Sequence, residues 1–201
     1  MVAGFNWRRG LLSALPLLLA IGYFWWHRHR AASAAFTAEE RAPFAAVDRG
    51  GERRLSHPTL GFSILHPGPG FVATGSQAFR ADAQFYAFAD QAAGESLTVG
   101  VFKGQGQSPW SLRKLVDQMG AHASTLAGGS GARVQVVAMD VPDADPPRGE
   151  MHAIIGKNRH FRLRAYGWDR RGQPPVAVIV AIYSAAPDAH ADVLASFEPH
   201  P

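Results

Sequence analysis

The most distinctive feature of the hydrophobic pattern is one uncharged apolar run near the start of the chain. Residues 11–26 are sixteen consecutive positions without a charge. A helix of that length spans roughly 24 Å, close to the ~30 Å hydrocarbon core of a bilayer. The run therefore predicts a single transmembrane anchor, with residues 1–10 as a short N-terminal tail.

The side chains at both ends of this run are typical of a membrane interface. Aromatic rings favour the headgroup region, and arginine stems extend toward it from the apolar side. The predicted interface residues are Trp7, Arg8 and Arg9 before the run and Tyr23, Trp25, Trp26, Arg28 and Arg30 at its end. The positive charges nearly balance across the span. We expect a single-pass inner-membrane protein with a cytoplasmic N-terminus and a periplasmic domain.

A cleavable signal peptide is the alternative interpretation of the same segment. The basic start, the short apolar region and the small residues Ala32, Ser33 and Ala34 favour it. The sequence WWHRHR, however, places bulky rings and charges between the apolar region and that cleavage site. Signal peptidase sites are normally preceded by small neutral residues, so a retained anchor is the preferred prediction.

Residues 27–57 follow the anchor and show little periodicity. They are rich in alanine and charge, which predicts a juxtamembrane linker. The folded domain is then predicted over residues 58–201.

Within residues 58–201, alternating apolar and polar positions predict a series of strands. The first runs from residue 60 to 64 and turns at residues 67–70 into a return strand near 71–74. Further strands are predicted at 83–89, 95–104, 132–141, 149–158, 159–168 and 174–185. Residues 176–183 are apolar almost throughout, which is typical of a central strand covered on both faces.

Two helices complete the pattern. Ser108 can cap the first, Pro109 suits its first turn, and the apolar stripe comprises Leu112, Leu115, Val116, Met119 and Ala123. A short helix is predicted within residues 187–197. Strands and helices joined by hairpin-length links predict an α+β fold, an antiparallel sheet packed with a mid-chain and a C-terminal helix.

Composition and charge narrow the possible functions. The 201 residues carry a net charge of +4 and no cysteine. Residues 1–46 hold five Arg and only two Glu, so most of the excess charge flanks the apolar run. A nucleic-acid-binding domain usually needs a concentrated basic face, and we expect no nucleic-acid partner. The absence of cysteine excludes disulfides, thiol catalysis and cysteine-ligated zinc.

Three stretches resemble the PsbP-like superfamily over about residues 57–199. They are GFSILHPGPGF, the helix opening SPWSLRKLVDQM and the terminal VLASFEP. The superfamily includes photosystem extrinsic subunits, a Ran-binding nuclear import factor and bacterial DcrB-like envelope proteins, and the DcrB-like branch is the predicted one. The resemblance implies a binding or assembly subunit and not an enzyme. The chain lacks the lipidated cysteine of many DcrB-like members.

No residue spacing in the chain indicates catalysis. The H-E-x-x-H and G-x-S-x-G motifs and the phosphate-loop spacing are all missing, and seven of the nine histidines are scattered singly. We therefore expect no catalytic residues, no cofactor and no metal site.

The leading candidate for a contact surface is the stretch RHFRLRAYGWDRR. On a strand, His160, Arg162, Arg164, Tyr166 and Trp168 share one face, and Arg170 and Arg171 in the following turn extend it. Arginine and aromatic residues are enriched at binding hot spots. A solvated strand face with arginine stems over apolar surface is the plainer interpretation.

Two main functional hypotheses follow, and a hydrolase on the same scaffold, which lacks the required motifs, is a third. In the first, the chain is a membrane-anchored, non-enzymatic binding or assembly module of the bacterial cell envelope, with a protein partner at residues 160–171. In the second, it is a chaperone or carrier that shelters apolar segments or lipids in a groove between sheet and helix. The second hypothesis requires an open apolar cleft.

Overall fold

The computed structural model describes residues 35–105, 108–128, 133–143, 147–168 and 174–200, except for the side chains of residues 109 and 122–128. Helix α1 is Pro109–Gly128, helix α2 is Ala191–Ala195, and a 3-10 turn spans Glu39–Arg41. The strands before α1 are β1 (Ala45–Arg49), β2 (Glu52–His57), β3 (Phe62–Leu65), β4 (Val72–Arg80), β5 (Ala83–Asp90) and β6 (Glu95–Lys103). Those after it are β7 (Val134–Asp140), β8 (Arg148–Ile155), β9 (Arg159–Trp168), β10 (Val176–Ser184) and β11 (Glu198–Pro199).

The strands form two antiparallel sheets, which confirms the α+β class but corrects the expectation of one sheet. The smaller has the order β1-β2-β3-β11, and the larger β4-β5-β6-β10-β9-β8-β7. The predicted hairpin around residues 67–70 is wrong. Strand β3 pairs with β2 and β11, whereas β4 pairs with β5. The chain therefore passes from one sheet to the other at this turn.

Strand β10 lies at the centre of the seven-stranded sheet, as its apolar sequence predicts. Val178, Val180 and Ile182 belong to the core on the side of the smaller sheet. Ala177, Ile179 and Ala181 belong to the core on the side of α1. Two apolar cores thus lie on opposite faces of one sheet.

Helix α1 begins where the sequence predicts. The Ser111 backbone N–H donates to Ser108 Oγ at 3.2 Å, which satisfies one of the free donors of the first turn. Leu112, Leu115, Val116 and Met119 are buried against the sheet. These four residues of the predicted apolar stripe attach the helix, which packs on β7, β8 and β9. The side chain of the fifth, Ala123, lies outside the described part of the chain.

The folded unit begins at Phe36 and not at residue 58. Phe36, Phe44 and Leu55 are buried in the first core, and β1 and β2 occupy residues predicted to be linker. The local signal is Thr37-x-x-Glu40, a capping box. The Thr37 N–H donates to the Glu40 carboxylate at 2.9 Å, and the Glu40 N–H donates to Thr37 Oγ1 at 3.2 Å. Residues 27–34 of the predicted linker and the predicted anchor lie outside the described residues.

A buried ion pair joins this N-terminal segment to the larger sheet. Lys103 Nζ lies 2.8 Å from Glu40 Oε2, and the two side chains are only 5% and 9% exposed. The ammonium group also lies over the Phe36 ring, 5.4 Å from its centroid. Because a charge removed from water is costly unless it is paired, each of these groups depends on the other.

A chain of neutral hydrogen bonds continues from the same turn. The Tyr86 hydroxyl donates to the Glu40 carbonyl oxygen at 2.8 Å, and His57 Nε2 lies 3.2 Å from the same hydroxyl. His57 Nδ1 accepts from the Leu60 N–H, so Nε2 carries the proton and donates to Tyr86. Burial raises the pKa of Tyr86, which keeps its hydroxyl protonated as a donor.

We predict that Lys103→Met destabilises the protein strongly. The substitution leaves the Glu40 carboxylate buried without its cation, and breaking a buried pair in this way costs about 3–5 kcal/mol. Urea unfolding of the full-length chain, followed by tryptophan fluorescence, measures the change in the free energy of unfolding. The double variant Lys103→Met with Glu40→Gln is the control, because it removes both charges and should recover part of the loss. A single variant as stable as wild type would contradict the prediction.

Candidate functional site

The residues of the predicted contact surface share one face of β9, as the alternation predicts. Phe161, Leu163 and Ala165 point to the opposite face, into the core under α1. The contact-surface side chains within the described residues are all half-buried. Arg170 and Arg171 lie outside the described residues.

Both arginines of this face make contacts within the chain. Arg162 Nη1 donates to the Pro187 carbonyl oxygen at 3.0 Å and lies 3.2 Å from Asp188 Oδ1. Arg164 pairs with Glu150, its cross-strand neighbour on β8. Their charges are therefore partly neutralised by carboxylates of the same molecule.

The two aromatic residues of this face are half-buried and pack against the first core. The Tyr166 hydroxyl donates to the Leu194 carbonyl oxygen at the end of α2, and its ring stacks on Phe197 at 4.6 Å. Trp168 makes an edge contact with Phe62, with ring centroids 6.1 Å apart. These rings hold the C-terminal segment on the sheet.

His160 pairs with another histidine. Its Nδ1 lies 3.1 Å from Nε2 of His152, and the two rings are 5.3 Å apart. Burial, followed by the nearby His160 and Arg162, lowers the pKa of His152. The two ring nitrogens are within hydrogen-bonding distance, so the pair links β8 to β9. Among the described residues, no three histidine or carboxylate side chains form a group suited to a metal ion.

A cavity of about 680 Å³ opens on the other face of the larger sheet, beside α1. Helix α1 packs mainly on β7, β8 and β9, and strand β4 at the far edge of the sheet stays exposed. We call this cavity the groove. The described lining residues are Gln77, Phe79, Arg80, Phe85, Thr98, Phe102, Leu115, Gln118, Met119, Ala121, Phe161 and Ala181.

A row of phenylalanine rings crosses the strands of the groove. Phe79 on β4 makes an edge contact with Phe85 on β5 at 5.9 Å, and Phe85 makes one with Phe102 on β6 at 5.5 Å. Gly100 leaves space for these rings, because a Cβ atom there would lie only 2.8 Å from Phe85 Cε1. Phe79 remains 63% exposed, so the row leads from solvent into the core.

The polar groups of the groove are few. Gln77, Thr98 and Gln118 supply neutral hydrogen-bonding groups, and Arg80 is the one charged residue among the described lining residues. Arg80 Nε lies 3.1 Å from Asp82 Oδ1. An apolar cavity with few polar groups is typical of a small-ligand site. Thr98 is the one hydroxyl among the described lining residues, and none of them is a histidine or a carboxylate.

The sequence pattern does not predict which residues line the groove. Leu97, Val99 and Val101 alternate along β6 and belong to the first core. Phe102 lies on the opposite face and belongs to the second core. The available signal was that the strand AQFYAFA places apolar rings on both of its faces.

A second, polar cavity of about 480 Å³ lies at the edge of the smaller sheet, lined in part by Arg54, Phe197 and Glu198. The Arg54 guanidinium donates to Ser63 Oγ at 2.9 Å and to the Ser196 carbonyl oxygen at 2.6 Å. It also lies 3.1 Å from Glu52 and 3.2 Å from Glu198. These contacts tie β2, β3 and β11 together, so Arg54 has a structural role.

Neither helix within the described ranges is both long and apolar enough to cross a bilayer. The predicted anchor at residues 11–26, with its interface residues, lies outside those ranges. The anchor therefore stays a prediction from sequence.

The fold is similar to that of a known structure, the solution structure of the cyanobacterial PsbP protein CyanoP from Synechocystis sp. PCC 6803. The TM-score is 0.52 at 15% sequence identity, over 79% of this chain and 98% of that chain. No protein-family model matches the chain, and no curated protein matches it. At this identity the likeness shows the fold alone, and the PsbP-like fold implied by the sequence is confirmed. The DcrB-like branch stays a prediction.

We predict that Arg162→Glu combined with Arg164→Glu lowers stability. The new carboxylates face Asp188 and Glu150, so two attractions become repulsions at a cost of about 2 kcal/mol in total. Urea unfolding measures the loss, and Arg164→Glu with Glu150→Arg is the control that restores one pair. If the double variant unfolds like wild type, these arginines do not stabilise the fold and are available to a partner.

Proposed function

We propose that the protein is a non-enzymatic binding module and that the groove beside α1 holds an apolar ligand. The observation that carries the proposal is the row Phe79–Phe85–Phe102, in which Phe79 is exposed, Phe85 half-buried and Phe102 buried. Leu115 and Met119 of α1 line the same cavity. Aromatic and aliphatic surface left in contact with water favours an apolar partner, because burying apolar surface lowers the free energy by roughly 25 cal/mol per Å². This is the cleft that the carrier hypothesis requires.

The size of the groove selects the class of ligand. A helix 10–12 Å in diameter fills roughly 420–610 Å³ per turn, so the 680 Å³ groove accommodates little more than one turn. Cavities of roughly 300–1,000 Å³ are typical of small-ligand sites. We therefore propose a single lipid acyl chain as the ligand, and a carrier of lipids as the role.

The polar groups support the same choice. Arg80 lies among the described lining residues and pairs with Asp82, which is itself partly exposed. A cation at the margin of an apolar cavity suits an amphiphile whose acyl chain enters the groove and whose anionic head group remains at the surface. A hydrolase role lacks support, since Thr98 is the one hydroxyl among the described lining residues and none of them is a histidine or carboxylate that could act as its base.

The proposed location is the inner membrane, with the domain on the periplasmic side. The support comes from residues 11–26 and their flanking aromatic and arginine residues. A retained anchor keeps a lipid-binding domain close to the source of its ligand. A protein partner in the envelope at residues 160–171 has less support, because the described members of that surface make contacts within the chain.

We predict that a photoactivatable palmitate attaches to residues of the groove in the full-length chain held in lipid nanodiscs. Ala121→Trp places an indole ring into the groove from an exposed position on α1. If it displaces two methylene groups of the ligand, binding weakens about tenfold. Mass spectrometry of the labelled peptides measures both the position and the yield of attachment.

The matched control is Ala46→Trp, the same substitution at an exposed position on β1. It should leave labelling unchanged. Labelling spread evenly over the surface, or equal labelling of the two variants, would contradict the acyl-chain site. Labelling of wild type that is prevented by an apolar helical peptide but not by free palmitate would indicate a chaperone of apolar segments instead.

We predict that the mature protein in native membranes retains its first residues. A C-terminally tagged full-length chain, extracted in mild detergent, should yield the intact N-terminal peptide by mass spectrometry. A mature protein that starts near Ala35 would show that residues 11–26 are a cleaved signal peptide. That result would remove the anchor without affecting the groove.

A further inference from the structure

Strand β7 exposes apolar side chains at the outer edge of the larger sheet. Val136, Val137 and Met139 are 50%, 51% and 39% exposed. Within the described ranges, β7 has a hydrogen-bonded neighbour, β8, on one side only. An edge strand of this kind is a template for pairing with another strand.

A β-bulge in β7 determines which side chains share a face. Val136 pairs with Ala153 and Ala138 pairs with His152, so the pairing passes over Val137. The cross-strand partners Ile155, Ala153 and Met151 are buried on the side of α1, which places Val134, Val136 and Met139 on that side. The opposite face carries Gln135, Ala138 and Asp140, whose partners are Ile154, His152 and Glu150.

We propose that β7 pairs antiparallel with β7 of a second copy of this chain, with Val136 opposite Val137 and Arg133 opposite Asp140. In this register Val134 meets Met139 on the helix side, and Gln135 meets Ala138 on the other side. A register shifted by one residue places Val134 opposite Ala138 or Asp140, which lie on the other face. Side chains paired across an antiparallel ladder must share a face, so the shifted registers are disfavoured.

The charges at the two ends of β7 support a second copy as the partner. Arg133 immediately precedes the strand, Asp140 ends it, and both are exposed. Antiparallel self-pairing brings each arginine opposite the other copy's aspartate, so the two-fold symmetry produces two identical ion pairs. The bulge residues Val136 and Val137 then cover each other at the centre. This argument is independent of the groove, which lies beside β4, β5 and β6.

Charge reversal tests the register. Sedimentation equilibrium of the full-length chain in density-matched detergent measures the dissociation constant of the dimer. Arg133→Asp and Asp140→Arg each turn two attractions into repulsions, and each should raise that constant about tenfold. The double variant Arg133→Asp with Asp140→Arg should restore it. Arg53→Asp at an exposed position on β2, in the smaller sheet, is the matched control and should leave the dissociation constant unchanged.

Disulfide formation provides a second measurement that does not depend on charge. The chain has no cysteine, so a mixture of Val136→Cys and Val137→Cys proteins contains only the introduced thiols. Under mild oxidation the disulfide between a Val136→Cys chain and a Val137→Cys chain should form faster than a disulfide between two identical variants. The proposed register places these two positions opposite each other. A monomer at all concentrations, a dimer unaffected by both charge reversals, or failure of the double variant to restore pairing would overturn the proposal.

Discussion

The burial of β10 on both faces is the constraint on which the rest of the structure depends. Val178, Val180 and Ile182 require a cover on one side, and Ala177, Ile179 and Ala181 require one on the other. The smaller sheet with α2 provides the first cover, and α1 provides the second. A strand that is apolar almost throughout has no stable position at an edge or with one face in water. Its sequence therefore fixes a layered arrangement before any local turn is considered.

The two covers differ in width, and this difference produces the groove. Seven strands about 4.8 Å apart make a sheet roughly 29 Å wide, whereas one helix is about 10–12 Å across. Helix α1 packs on β7, β8 and β9, so the helix-side surface of β4, β5 and β6 extends past it. An exposed surface of that kind normally carries polar side chains, but here it carries the rings of Phe79 and Phe85. Apolar residues at an uncovered position point to a ligand more than to a packing requirement.

The sequence predicts the elements of this fold better than its arrangement. Strands β5 to β10 and helix α1 are predictable because their periodicity is strong and local, and Ser108 caps α1 as expected. The pattern over residues 36–57 predicts a linker because β1 and β2 are short and rich in charge, and because the buried pair Glu40–Lys103 links positions far apart in the chain. The residues of the groove are not predictable for the same reason, since Phe85 and Phe102 become neighbours only when β5 and β6 pair. The alternation of β9 placed five residues on one face correctly, but it carried no information about the carboxylates and carbonyl groups that meet Arg162 and Arg164.

The groove and the exposed strand β7 lie at opposite ends of the same sheet, and this separation connects the two proposals. Pairing of two copies through β7 would extend the sheet to fourteen strands and leave each β4 edge on the outside. Both grooves would then remain open, because neither β4 nor the row Phe79–Phe85–Phe102 takes part in the pairing. Ligand binding and self-association would use separate surfaces, and each can be tested with variants that leave the other unchanged. If each chain also keeps an N-terminal anchor, a dimer would hold two lipid-binding domains at one membrane, where two anchors bind more firmly than one.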